Sequence, residues 1–211
     1  MKLGILGTGD VGTNLASKFT ELGHDVMLGS RSAEKAKGLA KTMGPRASGG
    51  TFADAASFGE VVFNCTSGSS SLDALKSAGA KNLSNKVLVD VANPLNFANN
   101  QMTLTVANTD SLGEQIQRAF PAAKVVKALN TMNYRVQTNP TIVHGDSDVF
   151  ICGNDAKAKA KVTEILGWLG WKSVMDLGGI DRARGMEAIL LIWFAISQKY
   201  NFQPLNFRIV K

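Results

Sequence analysis

The sequence predicts an α/β protein of the Rossmann type, a doubly wound and mostly parallel sheet with a small C-terminal helical extension. Three observations predict it. Apolar runs of four to six residues alternate with segments of helical period, the order expected of a parallel sheet covered by helices on both faces. A glycine pattern, Gly7-Thr8-Gly9-Asp10-Val11-Gly12, stands between the first run and the first helical segment. The 211 residues contain neither an internal repeat nor a linker that would divide them, so one domain over 1–211 is expected, with a helix at about 181–199 as its appendage.

In order, strands are expected at Lys2–Leu6, Asp25–Gly29, Thr51–Phe52, Glu60–Cys65, Lys86–Val91, Lys124–Ala128, Asp148–Cys152 and Lys172–Met175. Between the first two, Val11, Leu15, Ala16, Phe19 and Leu22 share one face of a helix that Gly23 should end, so Met1–Gly29 reads as one βαβ unit. Further helices are expected at Ala33–Thr42, Ala53–Phe58, Leu72–Ala78, Ser111–Phe120, Asp155–Leu169 and Asp181–Lys199. Thr66-Ser67-Gly68-Ser69-Ser70-Ser71 reads as a loop at the carboxyl end of the fourth strand, the edge where open α/β sheets bind ligands. Asn93–Asn108 is Asn-rich and lacks a period, so it reads as an unusually long loop and a functional suspect.

Composition excludes several classes. The formal net charge is +6, but the basic residues are scattered, and the groupings Lys35/Lys37/Lys41 and Lys157/Lys159/Lys161 suit solvated helix faces. No nucleic-acid partner is expected; a polyanionic small molecule accounts for the balance equally well. Cys65 and Cys152 lie in separate apolar runs without CxxC spacing or a ligand cluster, so both read as buried thiols and no metal is expected. The longest apolar run, Ala188–Ile196, is far short of the ~20 residues a spanning helix needs. The apolar part of Met1–Gly7 is too short for a signal peptide and leads straight into the glycine motif, which predicts a cytoplasmic protein starting at Met1.

The glycine pattern has the context its chemistry needs: it follows a strand, opens a helix and sits inside a βαβ unit. Gly7 allows the tight turn, Gly9 lets the backbone approach a pyrophosphate, Gly12 lets helix and strand pack closely, and the helix N-terminus offers N–H groups to the anion. At the end of the second strand, where a carboxylate would receive the ribose 2′-hydroxyl of NAD, the chain has Gly29-Ser30-Arg31. Arg31 supplies the planar, multi-donor cation that suits a 2′-phosphate, and Lys35 can add a second charge, so NADP(H) is the expected cofactor.

Four blocks carry a family resemblance: Gly29-Ser30-Arg31, Val89-Asp90-Val91-Ala92-Asn93-Pro94, Val125-Val126-Lys127-Ala128-Leu129-Asn130-Thr131 and Cys152-Gly153-Asn154-Asp155. With them the chain resembles the deazaflavin (coenzyme F-420)-dependent NADP reductases, and equally the cytosolic reductase domain of the six-transmembrane metalloreductases, over nearly its full length. The resemblance implies hydride transfer between the nicotinamide and a flavin or deazaflavin ring. Carried over by position, Thr8, Gly9, Asp10 and Val11 would surround the pyrophosphate and Ser30, Arg31 and Lys35 the 2′-phosphate. Thr66, Ser67 and Gly68 would border the nicotinamide, and Ala92, Asn93 and Asn130 would line the place where the acceptor ring stacks. The deazaflavin reductases carry a histidine where this chain has Asn130, and an apolar loop containing Pro and Trp where it has the serine-rich one; at Asn130 the chain follows the metalloreductase pattern.

No residue stands out as a general acid. His24 precedes the second strand at the far end of the sheet, His144 is in a polar loop, and the direction of Lys127 is not readable from its strand. Transfer between two cofactor-like rings demands little protein acid–base chemistry, and a cleft of amides and hydroxyls without fixed charge suits a ring bearing carbonyl and imide groups. Two alternatives remain open at this level: a non-catalytic NADP(H)-binding sensor or regulatory subunit, and a small hydroxyacid or imine reductase. Met186, Ile189, Leu190, Trp193, Phe194 and Ile196 make the last helix apolar nearly all round, which predicts a homodimer that covers it.

Overall fold

The computed structural model describes residues 1–98 and 101–210. Its main sheet has eight strands in the order β10-β9-β8-β5-β4-β1-β2-β3. These are β1 (Lys2–Leu6), β2 (Asp25–Ser30), β3 (Ala47–Thr51), β4 (Val61–Asn64), β5 (Val87–Asp90), β8 (Lys124–Ala128), β9 (Val149–Gly153) and β10 (Val174–Asp176). Strands β3 to β8 in that row are parallel. The direction reverses once, between β8 and β9, and β10 follows β9. The polarity of the parallel set brings Leu6, Asn64, Asp90 and Ala128 to one carboxyl edge.

The helices are α1 (Asp10–Glu21), α2 (Ala33–Lys41), α3 (Phe52–Phe58), α4 (Gly68–Ala78), α5 (Ala80–Leu83), α6 (Leu112–Ala119), α7 (Tyr134–Thr138), α8 (Ala156–Trp168) and α9 (Ala183–Lys199). Each sheet face buries its own apolar layer. One holds Leu3, Ile5, Leu15, Phe19, Val26 and Leu28, the other Leu6, Val62, Leu75, Leu88, Val125 and Met186. Such burial on both faces explains why the strands read as continuous apolar runs rather than alternating ones. Helix α1 ends at Leu22, followed by Gly23 at φ 85°, as the glycine predicts.

The structure departs from the sequence expectations in several places. The third strand is Ala47–Thr51, and Phe52 already belongs to α3, whose start is fixed by a capping box between Thr51 and Asp54. Its Ala-Ser-Gly-Gly sequence has poor β-propensity, so pairing with β2 makes it a strand. Gly68 to Ser71, expected in a loop, form the first turn of α4, and only Thr66 and Ser67 remain outside the helix. Much of Asn93–Asn108 is an antiparallel hairpin, β6 (Leu95–Ala98) with β7 (Gln101–Leu104), in which Leu95 and Phe97 alternate with asparagine. Asn99 and Asn100 of that stretch lie outside the described residues. Helix α9 starts two residues late, after a 3-10 turn at Ile180–Arg182, and α5 and α7 carry too short a pattern to be read.

Helix α9 buries Ala183, Met186, Glu187 and Leu190 but leaves Leu191 43% and Ile192 55% exposed. After it the chain returns to the sheet edge, where Asp148 N–H donates to Phe207 O at 2.9 Å. Cys152 is buried and Cys65 half-buried, both as free thiols. Burial pushes Cys152 up to about 12 and drives Cys65 up as well. Among the described residues no group of three or more His, Cys, Asp or Glu could hold a metal, and no helix is long and apolar enough to cross a membrane.

Candidate functional site

The glycine turn lies directly past β1. Gly7 sits at φ 124°, where only glycine is unstrained, and a Cβ on Gly12 would overlap the Gly7 carbonyl, so α1 begins pressed against the strand. A Cβ at Gly9, by contrast, would meet nothing within 4 Å. Gly9 is also the N-cap of α1 and makes no side-chain cap, leaving the first N–H groups of the helix available to an anion in that open space. Thr8 and Gly9 border the space, Asp10 is exposed in the first turn, and Val11 faces a second cleft.

From this turn a cleft of about 460 Å³ runs to Ser30, Arg31, Ser32 and Lys35. The local sequence builds the cation end. Ser30 Oγ accepts from Ser32 N–H at 3.2 Å and Ser32 Oγ caps α2 by accepting from Lys35 N–H at 3.3 Å, so two serines fold the backbone that presents Arg31. Neither Arg31 nor Lys35 is in an ion pair among the described residues. Phe52, Asp73, Ala74 and Ser77 also line the cleft, and none was identifiable beforehand because they come from two other helices. The open space over Gly9, joined to two unpaired cations and bounded by an aromatic ring, fits a dinucleotide carrying a 2′-phosphate.

A smaller cleft of about 270 Å³ adjoins it, lined by Val11, Gly68, Val91, Ala92, Asn93, Leu95 and Phe97, and sharing Cys65, Thr66 and Ser67 with the first. Its lining residues carry no charged side chain. Its two sides are pressed together at the base, since a Cβ at Gly68 would overlap the Asn93 carbonyl. Ala92 and Asn93 both line this cleft. Asn130 does not line this cleft. It is only 2% exposed and acts from behind, its Nδ2 donating to Asn93 Oδ1 at 2.9 Å and to Met186 O at 2.7 Å, while Asn93 Nδ2 donates to Asn130 O at 2.9 Å. The cause is Leu129, buried at φ 61°, which bends the chain immediately past β8 and turns Asn130 inward.

A row of polar side chains lies behind the cleft at the ends of three adjacent strands, in register Asn64↔Asp90 and Asp90↔Lys127. Thr66 Oγ1 donates to Asn64 Oδ1 at 2.7 Å, Asn64 Nδ2 to Asp90 Oδ1 at 2.8 Å, and Lys127 Nζ to Asp90 Oδ2 at 2.7 Å. Lys127 also reaches Glu187 Oε1 at 2.8 Å and Ala92 O at 2.5 Å. Glu187 in turn accepts from the N–H groups of Leu112 and Gly113 at the start of α6. Against the desolvation of a fully buried site, the carboxylates of Asp90 and Glu187 raise Lys127 and hold it charged; burial pushes Glu187 up. The charged residues within two apolar runs, Asp90 and Lys127, were the visible signal for this row; Glu187 gave none.

The remaining polar candidates lie elsewhere. His24 stacks on Trp168 with ring centroids 4.5 Å apart, and burial lowers its pKa. His144 follows the 3-10 turn at Pro140–Ile142. The Arg135 guanidinium lies 5.7 Å from the centroid of the Tyr134 ring and borders a separate small pocket with Phe202 and Pro204.

Residues 2–94 match the family described as coenzyme F420-dependent NADP oxidoreductase. The chain is 30% identical to the F420-dependent NADP reductase of Methanocaldococcus jannaschii, over 99% of this chain and 98% of that one. It is 35% identical to the rat metalloreductase STEAP3 over 90% of this chain, yet spans only 36% of that protein. A crystal structure of a candidate F420-dependent NADP-reductase from Arthrobacter sp. FB24 superposes with a TM-score of 0.94 at 45% identity, covering 100% of both chains.

Proposed function

Because the chain belongs to the coenzyme F420-dependent NADP oxidoreductase family, we propose that this NADP-dependent oxidoreductase transfers hydride between NADP(H) and a flavin or deazaflavin ring seated in the smaller cleft. The observation that carries the reading is the junction of the two clefts. Cys65, Thr66 and Ser67 line both, so a nicotinamide lying across them would have the dinucleotide cleft on one side and an uncharged, partly apolar slot on the other. When bound, the nicotinamide would supply the hydride, and Thr66, Ser67 and Gly68 would hold it at the junction.

The chain's own residues bind and orient. The N–H groups at the Gly9 end of α1 hold the pyrophosphate, and Arg31, Ser30 and Lys35 hold the 2′-phosphate. Thr66, Ser67 and Gly68 border the nicotinamide. Ala92 and Asn93 form the wall for the acceptor, with Leu95 and Phe97 shielding the slot from water, and Asn130 fixes the Asn93 amide through two hydrogen bonds. No side chain is asked to move a proton, in keeping with ring-to-ring transfer.

The test is an NADPH oxidation screen against free flavins, a deazaflavin, quinones and ferric chelates. Reduction of a flavin or deazaflavin supports the reading. Activity confined to a hydroxyacid precursor or an imine would overturn it, and NADPH binding without oxidation by any acceptor would favour a sensor or regulatory subunit. The same reading has the protein work as a homodimer through α9, whose outer face leaves Leu191 and Ile192 exposed and whose Phe194 packs against the exposed rings of Phe97 and Phe202. A monomer by light scattering at micromolar concentration would refute that. It also places the protein in the cytoplasm, where free thiols such as Cys65 and Cys152 stay reduced.

A further inference from the structure

We propose that Lys127, anchored by Glu187, is the positioning residue that fixes the acceptor wall of the cleft against the nicotinamide side. The inference rests on the two-cleft reading and assigns a task to the buried row that this reading leaves unused.

A buried ionic cluster needs a reason, since ions taken out of water are commonly replaceable by well-packed apolar groups without loss of stability. Here two carboxylates and one ammonium are fully buried at the ends of β5 and β8 and on α9. Their hydrogen bonds are not closed on themselves. Lys127 Nζ donates to Ala92 O, and Asp90 Oδ1 accepts from Ala92 N–H at 3.3 Å, so both backbone groups of Ala92 are bound to the cluster. Ala92 is the residue that lines the acceptor slot with Asn93. At its other end the row reaches Thr66 through Asn64, and Thr66 lines both clefts. The cluster thus ties one wall to the other across three strands. Asn64, whose amide nitrogen donates to Asp90 and whose oxygen accepts from Thr66, cannot relay a proton as a hydroxyl or imidazole could, because passing one through a carboxamide requires its high-energy imidic-acid tautomer. The row therefore holds distance and orientation.

Glu187 makes the lysine's position unique. It caps the start of α6 with two backbone N–H groups and pulls Lys127 toward α9, whose Met186 carbonyl also receives Asn130. Two consecutive residues of one helix thereby hold Ala92 through Lys127 and Asn93 through Asn130.

The experiment compares wild type with Lys127→Met, which keeps the unbranched shape of the side chain as far as its fourth atom and removes its charge and donors. Lys127→Met alone leaves two unpaired carboxylates, so the variant is also made as Lys127→Met/Glu187→Gln, which restores the net charge of the cluster to that of the native one. Three quantities are read on each folded variant: the affinity for 2′-phospho-ADP-ribose, the fluorescence lifetime of bound NADPH, and the single-turnover rate of hydride transfer to riboflavin with its deuterium isotope effect. We expect the first to stay within about twofold, the lifetime to shift toward that of free NADPH, and the rate to fall at least about tenfold with an altered isotope effect. If the charge-matched variant folds and keeps the native lifetime and transfer rate, Lys127 serves stability alone and the proposal is wrong. If the wild type reduces no ring at all, the acceptor reading has failed, whereas the lifetime measurement still decides whether Lys127 orders the nicotinamide. An unchanged lifetime in that case also refutes the proposal.

Discussion

Replacing Arg31 by alanine should convert an NADPH-preferring protein into one that scarcely distinguishes the two dinucleotides. A charge-assisted hydrogen bond to a phosphate is worth about 1.5–3 kcal/mol, but Arg31 is exposed, so screening by solvent and salt puts its contribution near the lower end. About 1.5 kcal/mol corresponds to roughly tenfold in affinity. Lys35 stays on the same rim and retains part of the attraction, and Asp73 in the same cleft opposes it. The wild type should therefore bind NADPH at least about tenfold tighter than NADH, and Arg31→Ala should remove most of that ratio while leaving NADH affinity nearly unchanged. Fluorescence titration of both dinucleotides at two salt concentrations measures it, and the NADPH advantage should shrink as salt rises. Equal affinities in the wild type, or an unaltered ratio in the variant, would refute the assignment of this rim to the 2′-phosphate.

Gly12→Ala should abolish dinucleotide binding and lower the melting temperature, because its Cβ has to displace the Gly7 backbone and overpacking of this kind costs about 1–3 kcal/mol or more; native binding in that variant would contradict the tight turn. Asn130→Leu leaves Asn93 Oδ1 and Met186 O without their shared donor, so turnover should fall markedly with NADPH affinity preserved, and a variant with native turnover would remove Asn130 from the site's support. In acid, Arg118 holds the Asp110 carboxyl at about 2, below its usual value, so this pair contributes stability above about pH 4 that is lost as pH falls toward 2. With Arg118 60% exposed, screening by solvent keeps the contribution small. Urea denaturation between pH 2 and 5 should show a shallower acid limb in Arg118→Ala, and an identical limb would show that the pair is silent.

What the sequence made legible follows from which forces act locally. The glycine turn and the first βαβ unit are each encoded within a few adjacent residues, and the structure has both, with Ser30, Arg31 and Lys35 on the same cleft as the turn. Asn130 shows the limit: its strand was correctly placed, yet whether its amide faces the slot or the interior depends on a single left-handed residue, Leu129, that no side-chain pattern announces. The serine-rich segment was misread because serine favours loops and helix starts alike, and Gly68-Ser69-Ser70-Ser71 turned out to be a helix start. The hairpin after Asn93 was hidden by asparagines, which are uncommon in strands. Glu187 was unreadable for another reason, since its partners lie 60 and 74 residues earlier in the chain and only the closed fold brings them together.

The single change of strand direction between β8 and β9 sets the sense in which the last helix travels. After any strand of the parallel set the chain emerges at the carboxyl edge, and a helix packed on the sheet then carries it back toward the amino edge. Since β9 and β10 run the other way, the chain leaves β10 heading toward the amino edge, with Asp176 still level with Ala128 through Ile151, and α9 then runs in the opposite sense. Its early residues pass the carboxyl ends of β5 and β8, where Glu187 meets Lys127, and its later ones arrive at the hairpin, where Phe194 meets Phe97 with ring centroids 5.8 Å apart. The C-terminal turns of this seventeen-residue helix thereby stand at the rim, beside the Phe97 ring that lines the smaller cleft.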